Sequence, residues 1–241
     1  MKESFTDLDK ILCKYQALSE AVEKGEDTDD LVSDINTFAE DVDLSYLKDE
    51  VPSAIKQSLE GVERVASIVL AMKEFSHPGT KEKTSIDINK AIKNTIIVAR
   101  NEWNYVAEMV TDFDPALPLV LCLPGDFNQV ILNIIINAAH AIGDVLGDGS
   151  KEKGTITVST CHDGDCVDIR IKDTGKGIPE ECQSRIFDPF FTTKKVGKGT
   201  GQGLAIAHST IVDKHGGSIT FETEVGKGTE FVVRLPIGQK D

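Results

Sequence analysis

Several things are scarce or missing in this 241-residue sequence, and each absence narrows the reading. No run approaches the ~20 apolar residues that span a bilayer, and no signal peptide opens the chain. With 40% apolar residues in regular periodic segments, the expectation is a folded soluble protein with no membrane span of its own. Positive charge is short: 26 Lys and Arg stand against 40 Asp and Glu, a formal net charge of −14. That balance argues against nucleic-acid or anionic-membrane binding, which needs a basic surface. It leaves room for a local basic pocket that takes phosphates. The five cysteines, Cys13, Cys122, Cys161, Cys166 and Cys182, are odd in number and show no paired metal spacing. Cys161 and Cys166 flank "HDGD", a hairpin turn, so they read as reduced thiols of the cytoplasm rather than as a zinc or redox pair. There is no internal repeat, and no regular alternation of strand and helix that would signal a Rossmann fold.

What is present divides near residue 80. Residues 7–23 carry Leu8, Ile11, Leu12, Tyr15, Leu18 and Val22 at three- and four-residue steps, an amphipathic helix. The acidic "EKGEDTDD" reads as a connection, and residues 31–40 as a short helix. Residues 46–75 form a second long helix with Ile55, Leu59, Val62, Ile68 or Val69, and Met72 on one side; Pro52 starts its main body or kinks it. Two long helices with one apolar stripe each make a poor core alone. They suggest a hairpin that pairs with a second copy into a four-helix bundle; the alternative is that both pack on the following domain. "SHPGTKEKT" closes the second helix and serves as a linker. The domain limits expected are therefore 1–78, a linker at 79–84, and 85–241.

In the second part, "TSIDI", "VAEMVTDF" and "LPLVLCL" read as strands and 87–101 as a helix. "GTITVSTCHDGDCVDIRIKD" alternates on both arms around "DGD", a β-hairpin; "GSITFETEVGKGTEFVVRLP" is another. Residues 125–146 and 203–215 are helices. Helices grouped with a mostly antiparallel or mixed sheet give an α/β class, a two-layer sandwich. The helix at 125–146 holds an oddity. Gln129, Asn133, Asn137 and His140 draw one polar stripe through a run of Val, Ile, Leu and Ala. A buried amide without a partner costs about 1–3 kcal/mol, so the stripe must face something.

Three glycine clusters follow. "DTGKGIP", residues 173–179, puts Asp173 at the end of an apolar strand, where its carboxylate can accept from an exocyclic amine such as that of adenine. "GKGTGQGLAIA", residues 197–207, runs four glycines into a helix beside Lys194, Lys195 and Lys198. Backbone N–H groups at such a place bind phosphate, and such a loop suits a lid. The Gly-Lys-Ser/Thr ending of a Walker A loop is absent. "GKGTEF", residues 226–231, is a turn between strands and on its own reads equally as a plain hairpin.

In order and content these motifs resemble the ATP-binding catalytic domain of sensor histidine kinases. "NQVILNIIINAAHA" is similar to the N box, "DTGKGIP" to the first glycine box, "FDPFFTTK" to the F box, "GTGQGLAIA" and "GKGTEF" to the second and third glycine boxes. The match covers roughly residues 85–237, and the wider superfamily includes the ATPase domains of gyrase, MutL and Hsp90. The resemblance implies that the polar stripe faces ATP and Mg²⁺. It implies Asn137 as the Mg²⁺ ligand, Asn133 as support for metal and phosphates, and His140 as a phosphate contact, with Asn133, His140 and Lys194 as the catalytic set. Asp173 is implied as the adenine carboxylate, and Gly175, Gly177 and Ile178 as shaping its pocket. Phe187, with Phe190 and Phe191, is implied as an anchor of the lid. Thr193, Lys194, Gly199, Thr200, Gly201, Gly203 and Leu204 are implied at the lid, and Thr229 close to adenine. ATP-hydrolysing relatives carry a glutamate where Asn133 stands, as general base for water; Asn133 cannot take that proton, which fits a kinase.

"SLEGVERVASIVLAMKEFSHPG" resembles the end of the second helix of the dimerisation and phosphotransfer hairpin. The acceptor segment, an H-E-x-x-x-P-like stretch in the first helix, has no counterpart around His77, His140, His162, His208 or His215. The expectation is a fragment of a longer kinase, unable to autophosphorylate alone. It would be cytoplasmic, or the cytoplasmic part of a larger sensor, a homodimer through its N-terminal helices, and partnered by a response-regulator receiver domain. A non-catalytic nucleotide-binding and dimerisation module remains the other reading, and an anti-sigma-type serine kinase a third, opposed by the helical hairpin.

Overall fold

The computed structural model describes residues 2–75, 82–147, 152–194 and 200–238. The chain forms two units, Met1–Ala66 and Ser67–Asp241. His77 and residues 79–81 of the expected linker lie outside the described residues, as do Lys195, Gly197, Lys198 and Gly199.

Helices α1 (Lys2–Lys24), α2 (Asp29–Asp41) and α3 (Leu44–Phe75) come first, and the division between the units falls within α3. The two long helices expected from periodicity are there, with the short one between them. Lys14 of α1 pairs with Asp34 of α2, and its ammonium lies 5.3 Å from the centre of the Phe38 ring. The apolar face of α1 is divided: Ile11 and Ala21 are buried, while Leu12, Tyr15 and Val22 stay exposed. On α3, Leu47 and Val51 are buried, but Ile55, Leu59 and Val62, one side of the helix, are exposed. Pro52 sits inside α3 without interrupting it.

The second unit is the two-layer α/β sandwich. A five-stranded sheet runs in the order β2 (Ala107–Phe113), β4 (Gly154–Asp163), β5 (Cys166–Asp173), β7 (Gly228–Pro236), β6 (Ser218–Glu224). The β2–β4 pair is parallel and the rest antiparallel. A two-stranded piece joins β1 (Thr84–Ile86) to β3 (Val120–Cys122). The period-2 alternation explains the layering. Ile156 and Val158, Val167, Ile169 and Ile171, and Phe231, Val233 and Leu235 are buried on one face, while Thr157, Arg170, Lys172 and Glu230 alternate on the other. The buried face packs on α4 (Ile88–Val98) and α6 (Pro124–Leu146) through Ile88, Ile92, Phe127, Ile131, Ile134, Ile135 and Ile142. Each isoleucine so buried contributes about 1.5–3 kcal/mol.

Among the described residues one helix, α6, is long and apolar enough by length and composition alone to cross a membrane, although polar side chains interrupt it throughout. Its apolar side chains are taken up by the sheet instead. Pro124 opens α6 at a position where its missing N–H costs nothing, and Gly147 ends it with φ 71°. The short helices α5 (Arg100–Trp103) and α7 (Glu180–Gln183) connect layers. Helix α8 (Gly203–Ser209) passes into a single π-turn, Thr210–Lys214, within the helix expected over 203–215. Buried His215 closes that turn: Leu123 N–H donates to its Nε2 at 2.9 Å, and its Nδ1 lies 2.7 Å from the Thr210 carbonyl. This fixes the start of α6 to the end of α8.

Candidate functional site

Along α6 the residues facing the sheet are buried, while Gln129, Asn133, Asn137 and His140 are only half-buried. The polar stripe is therefore the open face of an otherwise buried helix. Gln129 Nε2 donates to Asn133 Oδ1 at 2.9 Å, and Asn133 Nδ2 donates to the Gly203 carbonyl at 3.0 Å. Asn133 thus ties α6 to the first residue of α8. One turn on, Asn137 Oδ1 accepts from Lys194 Nζ at 3.1 Å, and the same ammonium lies 2.6 Å from His140 Nδ1. Burial pushes the Lys194 amine below its usual range, opposed by the nearby Asp144 carboxylate.

Asp173 ends β5 at the far edge of the same helix. Its side chain is only 3% exposed. Oδ1 accepts from Gly175 N at 2.7 Å and from Thr229 N at 3.3 Å; among the described residues Oδ2 accepts from none. Burial pushes this carboxyl up to about 6, against the lowering effect of the two backbone donors. The surrounding backbone comes close. A Cβ on Gly175 would stand 2.6 Å from Ala141, and one on Gly228 would stand 1.9 Å from the Asp173 carbonyl oxygen. Gly228 has φ 118° and Gly177 φ 72°, values that favour glycine. Ile178 N donates to Thr223 Oγ1 at 2.9 Å, and Thr223 Oγ1 lies 3.0 Å from Thr229 Oγ1. Asp173, Thr223 and Thr229 share the helix-side face at one end of the sheet.

The aromatic segment separates into roles. Phe187 packs on the core, its ring 5.0 Å from His208 and 6.1 Å from Phe221. Phe191 also joins the core, under the Arg185 guanidinium at 4.6 Å. Phe190 is 71% exposed with φ 66°, a strained value for an aromatic residue. It lines an open groove of about 380 Å³ with Pro189, Ala205 and Ile206. A Cβ on Gly201 would meet the Phe190 carbonyl carbon at 2.4 Å, so the two described ends of the lid segment meet backbone to backbone. Thr193 and Thr200 are exposed, and Leu204 is partly buried on the core.

The residues singled out from the sequence thus fall in two neighbouring groups, Asn133, Asn137, His140 and Lys194 along α6, and Asp173, Gly175, Gly177 and Thr229 beyond its end. Gly199 lies outside the described residues. Two participants escaped the sequence reading. Thr223 carries no motif; only its inward phase in β6 and its register opposite Thr229 give it away. Lys176, inside "DTGKGIP", pairs with Asp144 at 2.6 Å.

The donor set suits a hard cation supplied with further oxygens. Asn137 Oδ1 already faces a positive charge. Among the described residues no group of three or more His, Cys, Asp or Glu is arranged to hold a metal.

Comparison with known proteins follows this geometry. The family described as histidine kinase-, DNA gyrase B-, and HSP90-like ATPase matches residues 123–239. Sensor histidine kinase ZraS of Klebsiella oxytoca is 35% identical over 184 residues, 74% of this chain and 37% of that protein. Sensory histidine kinase/phosphatase NtrB of the same organism is 33% identical over 185 residues, 76% of this chain and 51% of that protein. The chain therefore spans about half or less of the length of these relatives. Among solved structures, the nucleotide-free catalytic domain of histidine kinase ThkA superposes with a TM-score of 0.56 at 29% identity, covering 65% of this chain and 96% of that one.

Proposed function

We propose that the chain, which matches the histidine kinase-, DNA gyrase B-, and HSP90-like ATPase family over residues 123–239 and is similar to sensor histidine kinases, binds Mg-ATP between α6 and the lid and passes the γ-phosphoryl group to a histidine, from which a response-regulator aspartate takes it. The buried Asp173 carboxylate carries this reading. One oxygen is fixed by two backbone donors, and the other is left to accept from the amine of adenine. Gly175 and Gly177 bring backbone against the base. Lys194 and His140 lie beside Asn137, on the side where phosphates would extend.

Asn137 would hold Mg²⁺ through its amide oxygen, and the ion would supply charge neutralisation for the phosphates. Asn133 holds α8 to α6 and offers no base to activate water, so hydrolysis is disfavoured against transfer. In the transfer, the bond between the γ-phosphorus and the β,γ-bridging oxygen breaks, a phosphorus–nitrogen bond forms at the imidazole, and ADP leaves. Within the chain, His215 has both nitrogens engaged and His208 packs on Phe187. None of the five histidines has the acceptor context, so the phosphorylated histidine belongs to a hairpin supplied from elsewhere. The domain limits proposed are 1–78 for the helical part, 79–84 for the linker and 85–241 for the catalytic part. Self-association runs through the exposed Ile55, Leu59 and Val62 of α3, and the place of action is the cytoplasm.

Incubation with γ-labelled ATP tests transfer. The chain alone should take no acid-labile label, whereas an added hairpin carrying an H-E-x-x-x-P-like segment should. Label on His77 of the chain alone would make that residue the acceptor. No label on a hairpin that associates would favour a non-catalytic nucleotide-binding and dimerisation module.

A further inference from the structure

Thr223 stands where three polar groups converge. Ile178 N–H donates to its Oγ1 at 2.9 Å, its hydroxyl donates to the Gly228 carbonyl at 3.1 Å, and the Thr229 hydroxyl lies 3.0 Å away. A threonine hydroxyl has one proton and two lone pairs. The Gly228 carbonyl can only accept, so the Thr223 proton goes there. The Ile178 amide takes one lone pair. Either hydroxyl can be the donor in the contact with Thr229; with the Thr223 proton on the Gly228 carbonyl, it is Thr229 that donates to Thr223. The Thr229 oxygen keeps its lone pairs and has no proton left to offer a ligand.

This matters because Thr229 adjoins Asp173, its own N–H donating to Asp173 Oδ1 at 3.3 Å. We propose that Thr223 is a positioning residue for nucleobase selection: by holding the Thr229 proton it leaves two acceptors side by side, the Thr229 hydroxyl oxygen and Asp173 Oδ2, which favour a base with an exocyclic amine over one with a carbonyl at the same position. The inference rests on the nucleotide reading above. Adenine presents N–H donors to this pair. Hypoxanthine, alike in shape, replaces the amine with an oxygen and would face two lone-pair donors with a third. In a buried polar site such a mismatch excludes more strongly than a missing contact.

The turn geometry explains why this residue can act so. Thr223 and Thr229 are directly opposed in the β6–β7 register, so their side chains emerge on one face within reach. Ile178 comes from the glycine-rich turn after β5. A single hydroxyl therefore couples that turn, the β6–β7 hairpin and the base-facing threonine.

Calorimetric titration of the full chain with ADP and with IDP, both with Mg²⁺, tests the proposal. The wild-type chain should prefer ADP. In Thr223→Val the Thr229 hydroxyl is free to turn and donate to the carbonyl of IDP, and the ADP:IDP affinity ratio should fall about tenfold, the size of one neutral hydrogen bond. Thr223→Ser, which restores the hydroxyl, should restore the ratio. Loss of affinity for both nucleotides by one factor, with the ratio unchanged, would show a merely structural residue and overturn the proposal. Should Thr223→Val not fold, Thr229→Val decides: a wild-type ratio there would overturn it, a reduced ratio would support it. Failure of the wild-type chain to bind ADP at all would overturn the nucleotide reading and this inference together.

Discussion

Lys194 shows how a single side chain can sit where a ligand is expected to act. Its ammonium lies on Asn137 Oδ1 at 3.1 Å and against His140 Nδ1 at 2.6 Å. Were Asn137 to hold Mg²⁺ through that amide oxygen, two cations would stand at close range, and Lys194 would be displaced toward the phosphates. In Lys194→Met that substitute charge is gone, and binding should depend more on the metal. The ratio of ADP affinity with Mg²⁺ to that in chelator should rise about tenfold, as for the loss of one charge-assisted contact; an equal change in both would refute the exchange. Asp173 gives a second residue-scale prediction. With its carboxyl near 6, protonation below that pH removes the acceptor for adenine. ADP affinity should fall as pH drops from 7 to 5 in the wild-type chain and stay flat in Asp173→Asn. A parallel slope in both would place the titrating group elsewhere.

Elements carry the next set of consequences. His215 joins α6 to the π-turn after α8 as a neutral imidazole, and burial holds it below its ordinary value of 6.5. Between the folded and unfolded values the unfolded chain binds more protons, so this contribution is complete above about 6.5 and is lost as pH falls below it. Asp173 acts oppositely. Its folded value is raised from 3.8 to about 6, so its contribution declines as pH climbs through that interval. Urea melts of His215→Gln should lack the loss of stability between pH 6.5 and 5 relative to wild type; the same slope in both would exclude His215 as its source. Gly228→Ala should damage the β5–β7 pairing itself, because φ is 118° and the new Cβ would overlap the Asp173 carbonyl. A loss of several kcal/mol is expected, and a thermal midpoint within a degree of wild type would contradict it. Much of this level was legible in the sequence. Both hairpins were marked by alternation, and α6 by its polar stripe. The parallel β2–β4 pair was not, since pairing between distant strands leaves no local pattern. The π-turn was hidden because its residues continue a helical period. Thr223 was hidden because one threonine in an alternating strand looks like any other.

At the scale of the whole molecule, the fold class and the family resemblance were readable because they depend on ordered local signals. The partners of Asn133 and Lys194 were not, because both form across more than fifty residues of chain, with Gly203 in one case and with Asn137 and His140 in the other. The exposed Ile55, Leu59 and Val62 of α3 predict self-association, since an apolar stripe of that length is rarely left in water. Light scattering at high micromolar concentration should report a dimer or a concentration-dependent equilibrium; a strict monomer would contradict it. The central claim, a Mg-nucleotide site built from Asp173 and Asn137, is tested most directly by calorimetry of Mg-ADP on three proteins. Wild type should bind. Asp173→Asn should bind about ten- to a hundredfold more weakly, the range for losing a hydrogen bond to a charged group, and Asn137→Ala should lose mainly the Mg²⁺-dependent part. Unchanged Mg-ADP affinity in both variants would contradict the account.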